Sequence, residues 1–170
     1  GYGLIVASQD WHPPGHGSFA SSHPDKQPFE MGELSGKPQV MWPDHCIQNT
    51  PDADFHPDLN VAAIDHVQRK GENPDVDSYS AFRDNDRNAV TGLDAYLRQK
   101  SVGTLDILGL ATDYCVRFSA LDAIAMLPGV KVRLIEDGCR GIDAEGVRDA
   151  IREMRDAGVE IIDSETAIAG

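Results

Sequence analysis

Apolar residues come in short runs divided by polar loops, and the runs switch between two periods. Residues 4–7, 105–110, 131–135 and 160–162 are short and apolar enough to read as strands, with 105–110 expected to be buried, and 65–69 is a weaker strand ending at Lys70-Gly71. Between them the spacing lengthens to the helical period. Residues 88–100 carry Val90, Leu93 and Leu97 on one face. Val116, Ala120, Ala123, Ile124 and Leu127 repeat at helical spacing behind Asp113, which reads as an N-cap. Asp143 caps a segment bearing Val147, Ile151 and Met154, and Gly158 closes it. Strand and helix alternate, so the expected class is α/β: a three-layer, Rossmann-like parallel sheet with helices on both faces. No internal repeat or linker divides the chain, which reads as a single domain over residues 1–170.

Residues 10–58 break the alternation. They form a long irregular segment rich in Pro, Gly, His and Asp. Segments of that length are usually functional or disordered. Trp11, Phe19, Phe29, Trp42 and Phe55 lie within it, which argues for a packed segment.

Composition narrows the partners. The formal net charge is −13 and the basic residues are scattered, which argues against nucleic acid and anionic membranes. No apolar run reaches the length of a membrane span. Three cysteines without framework spacing point to free thiols in a reducing compartment such as the cytoplasm. Self-association is left open.

Cys115 is the leading chemical candidate. It follows a strand end and is expected in the first turn of a helix, where unpaired N–H groups favour a thiolate. Strand carboxyl ends are also where open α/β sheets bind ligands. A half-buried structural cysteine is the competing reading. Asp10, His12, His16 and His45 sit in loops at the same expected sheet edge. A carboxylate with imidazoles suits a divalent cation, with zinc ahead of iron or manganese; solvated bystanders are the alternative. Lys70 at a strand end could stabilise a thiolate or an oxyanion, or could simply be solvated. Trp42 and Tyr79 are either loop core or walls of a flat ligand's pocket. Cys46 and Cys139 open no helix and rank lower. His23, His56 and His66 read as surface residues.

The segments ASQDWHPPGHGSF, MWPDHC, Lys70-Gly71 followed by SYSAF, and GLATDYCVRFSALDA occur in that order. Together they resemble the nicotinamidase/pyrazinamidase branch of the isochorismatase-like cysteine hydrolases. The resemblance implies hydrolysis of nicotinamide to nicotinate and ammonia, and of pyrazinamide as well, through a cysteine thioester. It makes Cys115 the nucleophile and Lys70 its charged partner. Asp10, His12 and His45 become metal ligands, with His16 a ligand in only some relatives. A cis peptide at Leu110–Ala111 would aim the N–H groups of Ala111 and Cys115 at the oxyanion. Trp42, Tyr79, Leu110 and Ala111 would line the substrate pocket. The family's third catalytic residue is an aspartate on a first strand. That strand is expected upstream of Gly1, so the domain is expected to be N-terminally incomplete. Two alternatives remain at this point: another amidohydrolase or isochorismatase of the superfamily, and a non-catalytic fragment that binds metal or nicotinamide.

Overall fold

The computed structural model describes residues 1–169. Strands are β1 (Val6–Asp10), β2 (Met31–Leu34), β3 (Lys37–Val40), β4 (His66–Lys70), β5 (Thr104–Leu110), β6 (Lys131–Arg140) and β7 (Glu160–Ile162). Helices are α1 (Leu93–Gln99), α2 (Arg117–Met126), α3 (Ala144–Asp156) and α4 (Ser164–Ala169). The class is α/β, as the alternation implied. The residues fall into two compact units. One is built from Tyr2–Ser78 and Asp84–Asn88, the other mainly from Tyr79–Arg83 and the residues from Ala89 onward.

In the first unit β1 pairs parallel with β4, in a register that sets Asp10 opposite Lys70. The long segment after β1 contains the hairpin β2–β3, which the apolar pattern does not reveal. Its signal was available in the turn residues. Ser35 (φ 50°) and Gly36 (φ 79°) both lie in the left-handed region that a two-residue hairpin loop demands. Phe19 and Met41 are fully buried and Trp42 nearly so. Aromatic packing thus organises the segment, as its composition suggested.

In the second unit β5, β6 and β7 form a parallel sheet in that order. α2 packs on β6 and on α3. Val132 and Leu134 of β6, Ala120 and Ala123 of α2, and Ala150 and Met154 of α3 are buried. α3 starts where expected: the Asp143 carboxylate accepts from Gly146 N at 2.7 Å. It ends in a Schellman closure. Gly158 (φ 99°) donates to Arg155 O at 3.0 Å, and Val159 N donates to Met154 O at 2.9 Å.

Three expectations need correction. The helix expected over 88–100 is only Leu93–Gln99, preceded by Gly92 at φ 89°. Val90 lies outside it and is exposed, because Thr91 Oγ1 donates to Ala81 O at 2.8 Å and holds the chain in a turn. β5 is not uniformly buried: Leu108 and Leu110 are 58% and 71% exposed. Among the described residues it pairs only with β6, so its apolar run did not imply two covered faces. Asp113 is not a helix cap. It lies inside a π-turn (Thr112–Val116), and its carboxylate accepts from Ile142 N at 3.1 Å and Asp143 N at 3.0 Å. Its work is to tie the loop before α3.

Candidate functional site

The metal-ligating candidates converge in the first unit. One ligand atom each from Asp10, His12 and His45 lies within 4.8 Å of the others. The His12 and His45 rings are 4.9 Å apart by centroid, and the His12 and His16 rings 4.6 Å. β1 delivers Asp10 at its last residue. Trp11 N then carries the parallel β1–β4 pairing one residue further, donating to Lys70 O at 2.9 Å. His12 bridges to the segment after His45: its N–H donates to Cys46 O at 3.0 Å and its carbonyl accepts from Gln48 N at 2.8 Å.

Each imidazole is oriented by its other nitrogen. His12 Nδ1–H donates to Gly71 O at 2.9 Å, and His45 Nδ1–H donates to Pro43 O at 2.8 Å. In both rings Nε2 is then the acceptor, the arrangement metal-ligating histidines use. Gly71 is part of this geometry. It sits at φ 71°, and a Cβ there would lie 2.6 Å from His12 Nδ1 and closer still to Cε1. The Lys70-Gly71 pair therefore carries a second signal, since only glycine lets His12 approach this backbone.

His16 is fully buried, with both nitrogens engaged. Nε2–H donates to Asn73 O at 2.8 Å, and Nδ1 accepts from Ser18 N at 3.1 Å and faces Ser18 Oγ at 2.8 Å. It stands beside the Asp10–His12–His45 group with no ring lone pair left over. His12 and His16 form a second group with Asp77, again within 4.8 Å of one another. Asp77 is a buried carboxylate that residue types and spacing did not bring forward. Its nearest sequence cue was position, seven residues past Lys70 in a polar loop.

Lys70 is buried, not solvated. Its ammonium pairs with Asp10 Oδ1 and donates to Ser78 O at 2.8 Å. Burial alone would push the Asp10 carboxyl up; the Lys70 charge, with help from His12 and His45, outweighs it and holds Asp10 below the usual aspartate range. Burial pulls His12 and His16 below the ordinary histidine value, although Asp77 opposes it in both and Asp10 opposes it in His12. Both rings are therefore neutral near pH 7, the form that can bind a cation. Asp10 Oδ1 is buried and accepts no well-formed hydrogen bond, its ion pair with Lys70 aside. An acceptor in that state, beside two Nε2 lone pairs, suits a divalent cation.

The second unit holds the thiol. The Leu110–Ala111 peptide is cis. Cys115 is the fourth residue of the π-turn, not a member of the first turn of α2, and it is half-buried. Val116 N donates to Ala111 O at 3.1 Å, which closes the wide turn. Tyr79 is half-buried with its ring against Tyr114 and Phe118, at centroid distances of 5.4 and 5.3 Å. Trp42, in the first unit, is buried edge-on to Phe29 at 6.0 Å. Cys139 is buried in β6 with its thiol donating to Ile135 O at 3.3 Å, and burial pushes that thiol up. Cys46 is half-buried, its N–H donating to Asp52 Oδ2 at 2.6 Å. His23, expected at the surface, is half-buried and bonds Gly17 O at 2.8 Å.

Similarity to known proteins gives the family. The Isochorismatase domain model matches residues 19–166. The nicotinamidase of Escherichia coli K12 is 51% identical over 159 residues, covering 92% of this chain and 73% of that protein. Among solved structures, the nicotinamidase/pyrazinamidase of Acinetobacter baumannii superposes with a TM-score of 0.92 at 46% identity, over 98% of this chain and 80% of that one. The pyrazinamidase of Pyrococcus horikoshii, solved in complex with zinc, gives a TM-score of 0.73 at 36% identity, over 94% of this chain and 75% of that one.

Proposed function

This chain belongs to the isochorismatase-domain family, and on that premise we propose that it hydrolyses nicotinamide to nicotinate and ammonia, with pyrazinamide as a second substrate. The observation that carries the reading is the Asp10–His12–His45 group, whose donor atoms lie within 4.8 Å of one another. The metal-free branches of the superfamily have no use for it. The 51% identity to a nicotinamidase supports the same substrate.

The residues divide the labour. Asp10, His12 and His45 would hold a divalent cation, zinc by donor set, with His16 packed beside them. When bound, the metal supplies a Lewis-acid anchor for the pyridine nitrogen of the substrate. The Cys115 thiolate attacks the amide carbon, and the N–H groups of Ala111 and Cys115 receive the oxyanion. The C–N bond breaks as a general acid protonates the amide nitrogen, which leaves as ammonia, and water then cleaves the thioester to the carboxylate and returns the thiol. Lys70 contributes positive charge to this chemistry through a side chain that burial holds in one place. Trp42, Tyr79 and Leu110 serve as apolar surface for the ring. Asp113 is not assigned the proton, because its carboxylate already accepts from Ile142 N and Asp143 N.

Among the described residues no helix is long and apolar enough to cross a membrane. The three cysteines are free thiols, which suits the reducing cytoplasm.

Zinc-loaded protein incubated with nicotinamide should release nicotinate and ammonia in equal amounts. Failure to form nicotinate, with turnover of an isochorismate-type enol ether instead, would overturn the assignment.

A further inference from the structure

Asp77 has no part in the reading above, yet it is one of the most deeply buried ionisable groups in its unit, 3% exposed. Its Oδ1 accepts from Ser78 N at 2.7 Å and its Oδ2 from Gln39 Nε2 at 3.2 Å. Both donors are neutral. The Lys70 ammonium, which donates to the neighbouring Ser78 O, is already paired with Asp10; the imidazoles of His12 and His16 share a cluster with Asp77 within 4.8 Å and could carry positive charge. His16 cannot answer the charge without protonation: its Nε2–H already goes to Asn73 O and its Nδ1 accepts from Ser18 N. His12 gives its Nδ1–H to Gly71 O. Two neutral hydrogen bonds do not offset the cost of holding a carboxylate out of water. A divalent cation on the His12 side would.

We propose that Asp77 is the buried counter-charge of the metal centre, a positioning residue that raises cation affinity without belonging to the Asp10–His12–His45 ligand set. The inference rests on the metal reading above and extends it. A cation bound by one aspartate and two neutral imidazoles carries a net positive charge. The Asp77 carboxylate offsets part of that charge, to which the Lys70 ammonium paired with Asp10 adds, in a site where solvent screens little. The coupling is reciprocal. The cation stabilises the fold partly by relieving Asp77, so metal-free protein carries a strain that metal removes.

The test compares zinc binding and thermal stability in wild type and Asp77→Asn, each stripped of metal and then titrated with zinc against a competing chelator. Asp75→Asn, on the exposed part of the same loop, is the charge control. The expected result is zinc affinity about ten-fold or more weaker in Asp77→Asn, within the range for outer-shell partners of metal ligands. The rise in melting temperature on adding zinc should shrink in parallel, and Asp75→Asn should match wild type in both. Unchanged affinity in Asp77→Asn, with only a lower melting temperature in both states, would overturn the inference and leave Asp77 as a loop brace. Equal weakening by Asp75→Asn would overturn it too, as general surface charge. If Asp77→Asn does not fold, Asp77→Ser replaces it, since serine puts no amide donor against Gln39, and the same outcomes decide. If wild type itself binds no zinc, the metal reading fails first, which distinguishes the two failures.

Discussion

The histidine cluster and the Cys115 turn reach chemical readiness by opposite routes. Cys115 is set mainly by what lies next to it in sequence: β5 ends and five residues wind into a π-turn, which Asp113 ties to the loop before α3. His12 is set by residues far away in sequence. Its ring bonds Gly71 O, 59 positions on, and its backbone bonds Cys46 O. His16 likewise reaches Asn73 O, 57 positions on. The turn has its own distant tie at Asp113, to Ile142 N and Asp143 N, but at His12 and His16 the metal cluster depends on long-range contacts to the ligand rings themselves and is exposed to every residue that shapes them. The predictions below probe that contrast.

Replacing the nucleophile should have the largest effect. Cys115→Ala is expected to lower the rate of ammonia release by at least about a thousand-fold, while zinc content stays stoichiometric. Retention of wild-type turnover would remove Cys115 from the chemistry. Loss of zinc in the same variant would show that the two regions are not as independent as their local geometry implies.

Gly71→Ala should do the reverse. The new Cβ would press on the His12 ring at a backbone φ of 71°. The ring must shift and the bond from Nδ1 to Gly71 O must lengthen. We expect a stability loss on the order of 1–3 kcal/mol, together with weaker zinc binding. Chelator competition and thermal melts measure both. Alanine accepted at this position with zinc affinity intact would show that the cluster does not depend on the close approach.

The smallest effect is expected from pH on metal-free protein. His12 and His16 have folded-state values below the ordinary 6.5 because they are buried. The unfolded chain therefore binds more protons as pH falls below about 6.5. Stability should be level above pH 7 and decline progressively below about 6.5. Asp10, held low, would add its own loss only below its ordinary value of 3.8. A melting temperature that stays flat from pH 7 to about 5 would contradict the burial of neutral imidazoles. In zinc-loaded protein the same protonation should appear as metal release.

The sequence by itself determined a good deal. Period and turn residues placed β5, α3 with its Asp143 cap and Gly158 closure, and the parallel α/β class. These features depend on interactions within a few residues, which a linear reading can see. The donor types at Asp10, His12 and His45 were legible as well, because metal chemistry limits which side chains serve. Tertiary structure alone decided the rest. It buried Lys70 against Asp10 through the β1–β4 register, a pairing between strands that begin 60 residues apart. It engaged both nitrogens of His16, turned Asp113 from an expected cap into a tie for the loop before α3, and brought Asp77 to the histidines. Each of these outcomes is a hydrogen bond or a buried charge whose partner is remote in sequence, so no local pattern carries it. Burial then gives such contacts their weight, because a polar group withdrawn from water must find its partner within the protein or from a bound ion.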